Sequence, residues 1–139
     1  MMATKQGWVF LADPTDYGWK DLLAQKTAVW DGVRNSRAQA NLKKCKVGDP
    51  VLIYHTAPDK AIVGIARVVA EAYPDPKNDD LVVVDVQPVK PLARALPLAE
   101  LKADEILAGM SFVRMPRVAV QPVTAEQWER ALQASGTKP

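Results

Sequence analysis

Cys45 and His55 are the only cysteine and the only histidine in this chain of 139 residues, so a nucleophile–base couple must be built from those two, or from a serine with His55. Spacing alone does not bring such residues within hydrogen-bond reach, and reach is the first requirement of a general base. The sequence carries no GxGxxG, Walker, GxSxG or HExxH pattern. One cysteine cannot form an intramolecular disulfide or a thiolate cluster, and metal sites built on His and Cys are nearly excluded. Asp79-Asp80 offers paired carboxylates, but adjacent strand residues face opposite ways. Lys43, Lys44 and Lys46, with Arg34 and Arg37 nearby, form a basic cluster that reads either as a solvated helix face or as a phosphate-binding patch. The remaining constellation is Trp30-Asp31-Gly32-Val33-Arg34-Asn35. It sets two charges and an amide beside the largest aromatic side chain, and a buried tryptophan alone has no need of them.

These residues must be positioned by a chain of one-domain size, and residues 1–139 are read as a single domain. The apolar fraction of 48% and charged fraction of 24% are those of a globular protein. A net charge of +2 is too small to mark a general polyanion binder, so any nucleic-acid binding must come from local arrangement. The N-terminus lacks an apolar signal segment and no run reaches membrane-spanning length, which together with the lone, core-spaced Cys45 leads us to expect a reducing cytoplasm.

Apolar Gly7–Ala12, ended by Asp13-Pro14, predicts a buried first strand. Trp19, Leu22 and Leu23 mark a short amphipathic helix within 17–25. Ala38, Leu42 and Cys45 mark the buried face of a second, with Asn35 or Ser36 as its N-cap. Val51–His55 and Ala61–Tyr73 are the next strands, joined by a hairpin loop at 56–60, and Gly64 predicts a bulge or a close backbone approach. The stretch 74–80 reads as a loop, 81–87 as a strand, and Pro88 and Pro91 restrict pairing before a short edge strand near 93–96. Brief helical turns at 98–101 and 104–107 precede a strand at 117–121. The last helix is signalled by a capping box at Thr124 and Gln127, a stripe of Trp128, Ala131 and Leu132, and a closing Gly136. Trp8, Trp19 and Trp128 are assigned to core.

Trp30-Asp31-Gly32-Val33-Arg34-Asn35 resembles the signature of the EVE domain, a family of the PUA-like superfamily alongside the YTH and ASCH domains. Lys46-Val47-Gly48-Asp49, Tyr54-His55, Ile62 to Ala66, Glu71 to Pro76, Val84-Asp85-Val86, Pro97-Leu98 and Val118 to Val123 are similar to the family pattern in the same order, covering Trp8 to about Leu132. The resemblance implies an α+β fold, a PUA-like small mixed β-barrel of five to six strands flanked by helices. It also implies a nucleic-acid-binding module, not an enzyme, that recognises a modified nucleobase (methylated or hydroxymethylated cytosine, or methyladenine) in DNA or RNA. A base lifted from its strand needs an aromatic plane and a few fixed donors and acceptors. On this reading Trp30 supplies the plane, and Asp31, Gly32, Asn35, Tyr54, His55 and Ala12 complete the pocket. Arg34, Arg37, Lys43 and Lys44 meet phosphates, with Arg34 alternatively bracing Asp31. No cofactor and no metal are implied, the partner is nucleic acid, and the protein is read as a monomer away from membranes. Two departures stand out: Leu11-Ala12 replaces the family's usual Lys-Ser, and Leu81 stands where many members carry an aromatic. Two other readings stay open: a small-molecule enzyme on a free nucleoside with His55 and Asp31 as acid and base, and a partner-binding protein with a vestigial pocket.

Overall fold

The first strand, β1 (Gly7–Ala12), is buried along nearly its whole length because it runs between two neighbours: β3 (Pro50–His55), parallel to it, and β6 (Val120–Val123), antiparallel. The structure, a computed structural model, describes residues 6–138. With β2 (Ala28–Trp30), β4 (Ala61–Asp75) and β5 (Asn78–Pro97) these strands make one mixed sheet in the order β2-β5-β4-β3-β1-β6.

The two-residue period of a strand sends alternate side chains to opposite faces, and each face carries its own core. Trp8, Phe10, Val51 and Ile53 point to one, where helices α1 (Trp19–Gln25) and α2 (Ser36–Leu42) add Trp19, Leu22, Ala38 and Leu42. Val9, Leu52 and Tyr54 point to the other, covered by α3 (Leu98–Ala103), α4 (Ser111–Arg114) and α5 (Ala125–Ser135) through Leu101, Phe112, Ala131 and Leu132.

The expected barrel is not formed: the sheet is open, with β2 and β6 as its edges. The reason lies in α2, whose side-chain amides occupy the seam that closure would need. Gln39, itself buried, accepts from Val82 N at 2.8 Å and donates to Val33 O at 2.7 Å and Val82 O at 3.1 Å, while Asn41 Nδ2 donates to Val120 O at 2.8 Å. Polar backbone groups bordering the seam are thus met by a helix rather than by another strand.

Several sequence expectations hold. Asn35 caps α2, its Oδ1 accepting from Ala38 N at 3.0 Å, and the Thr124–Gln127 capping box forms in both directions. Gly136 ends α5 in the left-handed region at φ 67°. Cys45 is buried, and burial, then the nearby Asp49 charge, push its thiol up to about 12. Leu23, however, is exposed and Trp128 only half-buried. The expected loop at 74–80 shrinks to a turn at Pro76-Lys77, and β5 runs on through Pro88 and Pro91, with shifts in the β4–β5 register beside both. Prolines, which cannot donate to a ladder, are tolerated where the ladder is already irregular. The last strand starts at Val120 rather than Arg117, and β2 and α4 carried too few residues to be read from periodicity.

Gly64 shows both predicted features: the β3–β4 and β4–β5 registers shift next to it, and a Cβ placed there would lie 2.6 Å from the Trp19 ring. Gly64→Ala is therefore expected to cost about 2 kcal/mol, as overpacking of a filled core does. Urea unfolding would show this as a lower midpoint at constant slope, and an unchanged midpoint would mean the Trp19 ring can move aside.

Candidate functional site

The three residues of β2 pair with β5 so that Trp30 faces Val84, and the chain then leaves the sheet through Asp31 and Gly32. Gly32 takes φ 76°, a conformation that favours glycine, and a side chain there would meet nothing within 4 Å. The glycine is therefore set by backbone conformation at an open mouth. Behind it lies a cavity of about 580 Å³ that reaches Trp30.

Trp30 is both wall and core. It is 8% exposed, and its ring packs on Phe10 at 5.4 Å between centroids and against the edge of Tyr17 at 6.1 Å and 85°. Tyr17 is held in turn by α1, its hydroxyl donating to Gln25 Oε1 at 2.5 Å. Burial, followed by the charges of Asp21 and Asp31, raises the Tyr17 phenol above its ordinary range, which keeps it a neutral donor. Leu11, Ala12, Val33 and Ala119 line the cavity as apolar surface, and Leu11 N donates to Ala119 O at 2.8 Å to fix the spacing of two of them.

The polar lining is acidic. Asp13, Asp16 and Asp31 border the cavity and, among the described residues, no lysine or arginine lines it. The Asp13 carboxylate accepts from Thr15 Oγ1 at 2.6 Å and Thr15 N at 2.9 Å, which holds its pKa below the usual carboxylate value. Asp31 lies 3.8 Å from Lys77 on the β4–β5 turn, an exposed pair of little intrinsic strength. Lys77, not Arg34, is thus the partner of Asp31.

Of the residues expected in one pocket, Trp30, Asp31, Gly32 and Ala12 meet there. Asn35 spends its side chain on the α2 cap. Tyr54 lies on the opposite face of the sheet, packed on Phe112 at 4.7 Å. His55 is buried and does not line the cavity: its Nε2 accepts from Trp19 N at 3.0 Å, closing the first turn of α1, and Nδ1 faces Asp59 Oδ2 at 2.9 Å. No His55–Asp31 acid–base pair is assembled. Among the described residues no group of three or more His, Cys, Asp or Glu side chains is placed to hold a metal, and no helix is long and apolar enough to cross a membrane.

The cations divide. Arg34 borders a neighbouring cleft with Asp75, Lys77 and Leu81, Arg37 and Lys44 share a different cleft, and Lys43 lies exposed outside both. Tyr17, Asp13, Asp16 and Ala119 were missed because nothing in their local sequence ties them to Trp30. The edge contact of Tyr17 with Trp30 exists only once α1 folds against β2.

The site is thus an open, aromatic-walled cavity at a sheet edge, bordered by acceptors. The chain belongs to the EVE domain family, whose model matches residues 6–134. It is similar to mouse thymocyte nuclear protein 1, with 36% identity over 147 residues that take in 86% of this chain and 65% of the relative. The chain therefore spans about 65% of the length of that curated relative. Among solved structures, Rpa0253 from Rhodopseudomonas palustris is 36% identical with a TM-score of 0.89, covering 94% of this chain and 93% of its own. The human THYN1 protein, solved in complex with 5-methylcytosine containing DNA, is 28% identical with a TM-score of 0.88, covering 97% and 100%. The curated relatives carry the word nuclear in their name, which overturns the expected cytoplasmic location. A lone buried thiol suits any reducing compartment, the nucleus as well as the cytoplasm, so cysteine usage could not separate them.

Proposed function

We propose that this chain, acting as a single module, binds nucleic acid by seating one modified base, extruded from its strand, in the cavity between Trp30 and Tyr17. The observation that carries the reading is the aromatic corner these two rings make beneath a mouth bordered by Asp31 and Gly32. It is supported by the likeness to human THYN1 protein, solved with DNA containing 5-methylcytosine.

Contact of a base with an aromatic side chain contributes about 1–3 kcal/mol, enough to offset much of the cost of unstacking it. Carboxylates accept hydrogen bonds, so Asp31 and Asp16 favour bases that present an exocyclic amino group, as cytosine and adenine do. A methyl substituent on such a base is read by contact with Leu11, Ala12, Val33 and Ala119. Among the described residues no cation lines this pocket, where the family usually has a lysine, so the pocket itself selects the base and leaves phosphates to other residues.

Anisotropy titrations with short single strands carrying cytosine, 5-methylcytosine, 5-hydroxymethylcytosine, adenine or methyladenine test this. One modified strand is expected to bind roughly tenfold more tightly than its unmodified counterpart, about what one well-packed methyl group can contribute. Tyr17→Ala is expected to remove most of that preference, because Tyr17 is the wall residue less committed to the core. Equal affinities across all five strands would refute the reading.

A further inference from the structure

The acidic lining of the base cavity raises the question of where the phosphates beside a seated base are held. Two elements border that cavity on the seam side, the entry to α2 at Val33 and the segment preceding β6 at Ala119. Both continue directly into a second cleft of about 340 Å³ between α2 and β6. On α2, Arg37 and Asn41 are four residues apart and share one helical face, and Lys44 follows in the turn just past the helix end, where it lines the same cleft. Opposite them lie Ser111 and Gln121. Gln121 stands only two residues beyond Ala119, at most about 7 Å of extended chain, so the two cavities are successive compartments of one seam.

This second cleft has the opposite electrical character. Arg37 and Lys44 line it, no carboxylate does among the described residues, and neither cation takes part in an ion pair among them. Among the described residues the one side-chain hydrogen bond of Arg37 is its Nη1 donating to Met115 Sδ at 3.0 Å, a weak acceptor. Two lining residues also hold unmet polar capacity. Ser111 Oγ and Gln121 Oε1 are buried without a hydrogen-bond partner, although Gln121 Nε2 donates to Met115 O at 2.7 Å and Val118 O at 2.8 Å. Gln121 as a whole is 1% exposed. Buried polar atoms left unpaired are uncommon in a folded protein; of these two, the Ser111 hydroxyl can donate to an anion, whereas Gln121 Oε1 only accepts and does not itself favour a phosphate.

We propose that the α2–β6 cleft binds the phosphodiester adjoining the seated base, with Arg37 and Lys44 supplying charge and the Ser111 hydroxyl a donor to a phosphate oxygen. The assignment rests on the base-pocket reading and refines it. Of the four cations expected at phosphates it selects Arg37 and Lys44, and it adds Ser111, which no sequence pattern marked.

The test compares the full chain with an Arg37→Gln/Lys44→Gln double variant, using two probes: a single strand carrying 5-methylcytosine, and the free 5-methylcytosine nucleoside, which has no phosphate. Lys43→Gln serves as the control for loss of charge outside the cleft. The double variant is expected to bind the strand about 10- to 30-fold more weakly, with a salt slope smaller by about 0.7, the value for one phosphate on a single strand. Its nucleoside affinity stays unchanged, and Lys43→Gln alters neither probe. Unchanged strand affinity and slope, with nucleoside still bound, would overturn the cleft assignment and leave the pocket standing. Weakened nucleoside binding, or an equal effect from Lys43→Gln, would also overturn it. A wild-type chain that binds neither probe would overturn the pocket reading and this assignment together.

Discussion

Trp30→Ala is expected to lower stability by about 3–5 kcal/mol and to abolish modified-base binding in the same variant, because one side chain serves the core and the ligand. Trp30 is 8% exposed and belongs to the same buried cluster as Phe10, Trp19 and Leu42. It also ends a strand of only three residues that pairs with β5 alone, so the missing ring is not replaced by other sheet contacts. Truncation leaves a large void beside Phe10 and removes the surface against which Tyr17 rests. Binding lost by Trp30→Ala therefore cannot by itself be assigned to ligand contact. Trp30→Phe separates the two roles: it keeps most of the apolar volume and is expected to cost about 1–2 kcal/mol while still weakening the base contact. Urea unfolding of both variants beside strand titrations checks this. A Trp30→Ala protein within 1 kcal/mol of wild type would show that Trp30 is not the packing element described.

Asp49→Ala is expected to cost about 3 kcal/mol, since a single carboxylate oxygen satisfies two donors. Asp49 is 3% exposed, and its Oδ2 accepts from Trp8 Nε1 and from Lys46 N, each at 2.9 Å. Around it, Gly48 N donates to Val68 O at 2.8 Å and Val68 N to Asp49 O at 3.0 Å, tying the turn before β3 to β4. Removing the carboxylate strands the indole N–H and a backbone N–H away from water. Asp49→Asn retains an acceptor and is expected to recover part of the loss. Denaturant midpoints for the pair decide it: two variants equally close to wild type would mean that water reaches both donors. Base binding by either variant at temperatures where it remains folded is expected to be normal, because Asp49 does not line the cavity.

These two cases show why the sequence spoke more clearly about the fold than about the site. Lys46-Val47-Gly48-Asp49, Tyr73 and Asp85 stood out as family-like segments, and their work is local or between strands. Asp49 holds its own turn, and Tyr73 donates to Asp85 Oδ1 at 2.6 Å across β4 and β5, a bond that pushes the phenol up to about 12. Caps and turns of this kind are written in neighbouring residues, so Asn35, Thr124 and Gly136 were legible. Barrel closure was not, because it depends on whether β2 and β6 meet across the sheet. The decisive groups, Gln39 and Asn41, look like ordinary polar positions of a helix. The pocket was half legible for the same reason. Trp30, Asp31 and Gly32 are contiguous, whereas Asp16 and Tyr17 reach it from one other part of the chain and Ala119 from another. Tyr54 and His55 were drawn in because they are themselves a family-like segment at the end of a strand. Strand alternation then carried Tyr54 to the far face, and a helix start claimed His55.

The central claim is that a modified base sits against Trp30 and Tyr17, and ¹H–¹⁵N NMR of the full chain tests it most directly. The indole N–H of Trp30 and the amides of Tyr17, Asp31 and Gly32 would be followed while two otherwise identical strands, one with cytosine and one with 5-methylcytosine, are added. The account predicts shifts that are larger for the methylated strand and centred on those resonances, with lesser ones along α2. Shifts that are the same for both strands, or that leave Trp30, Tyr17 and Gly32 unmoved while others respond, would contradict it.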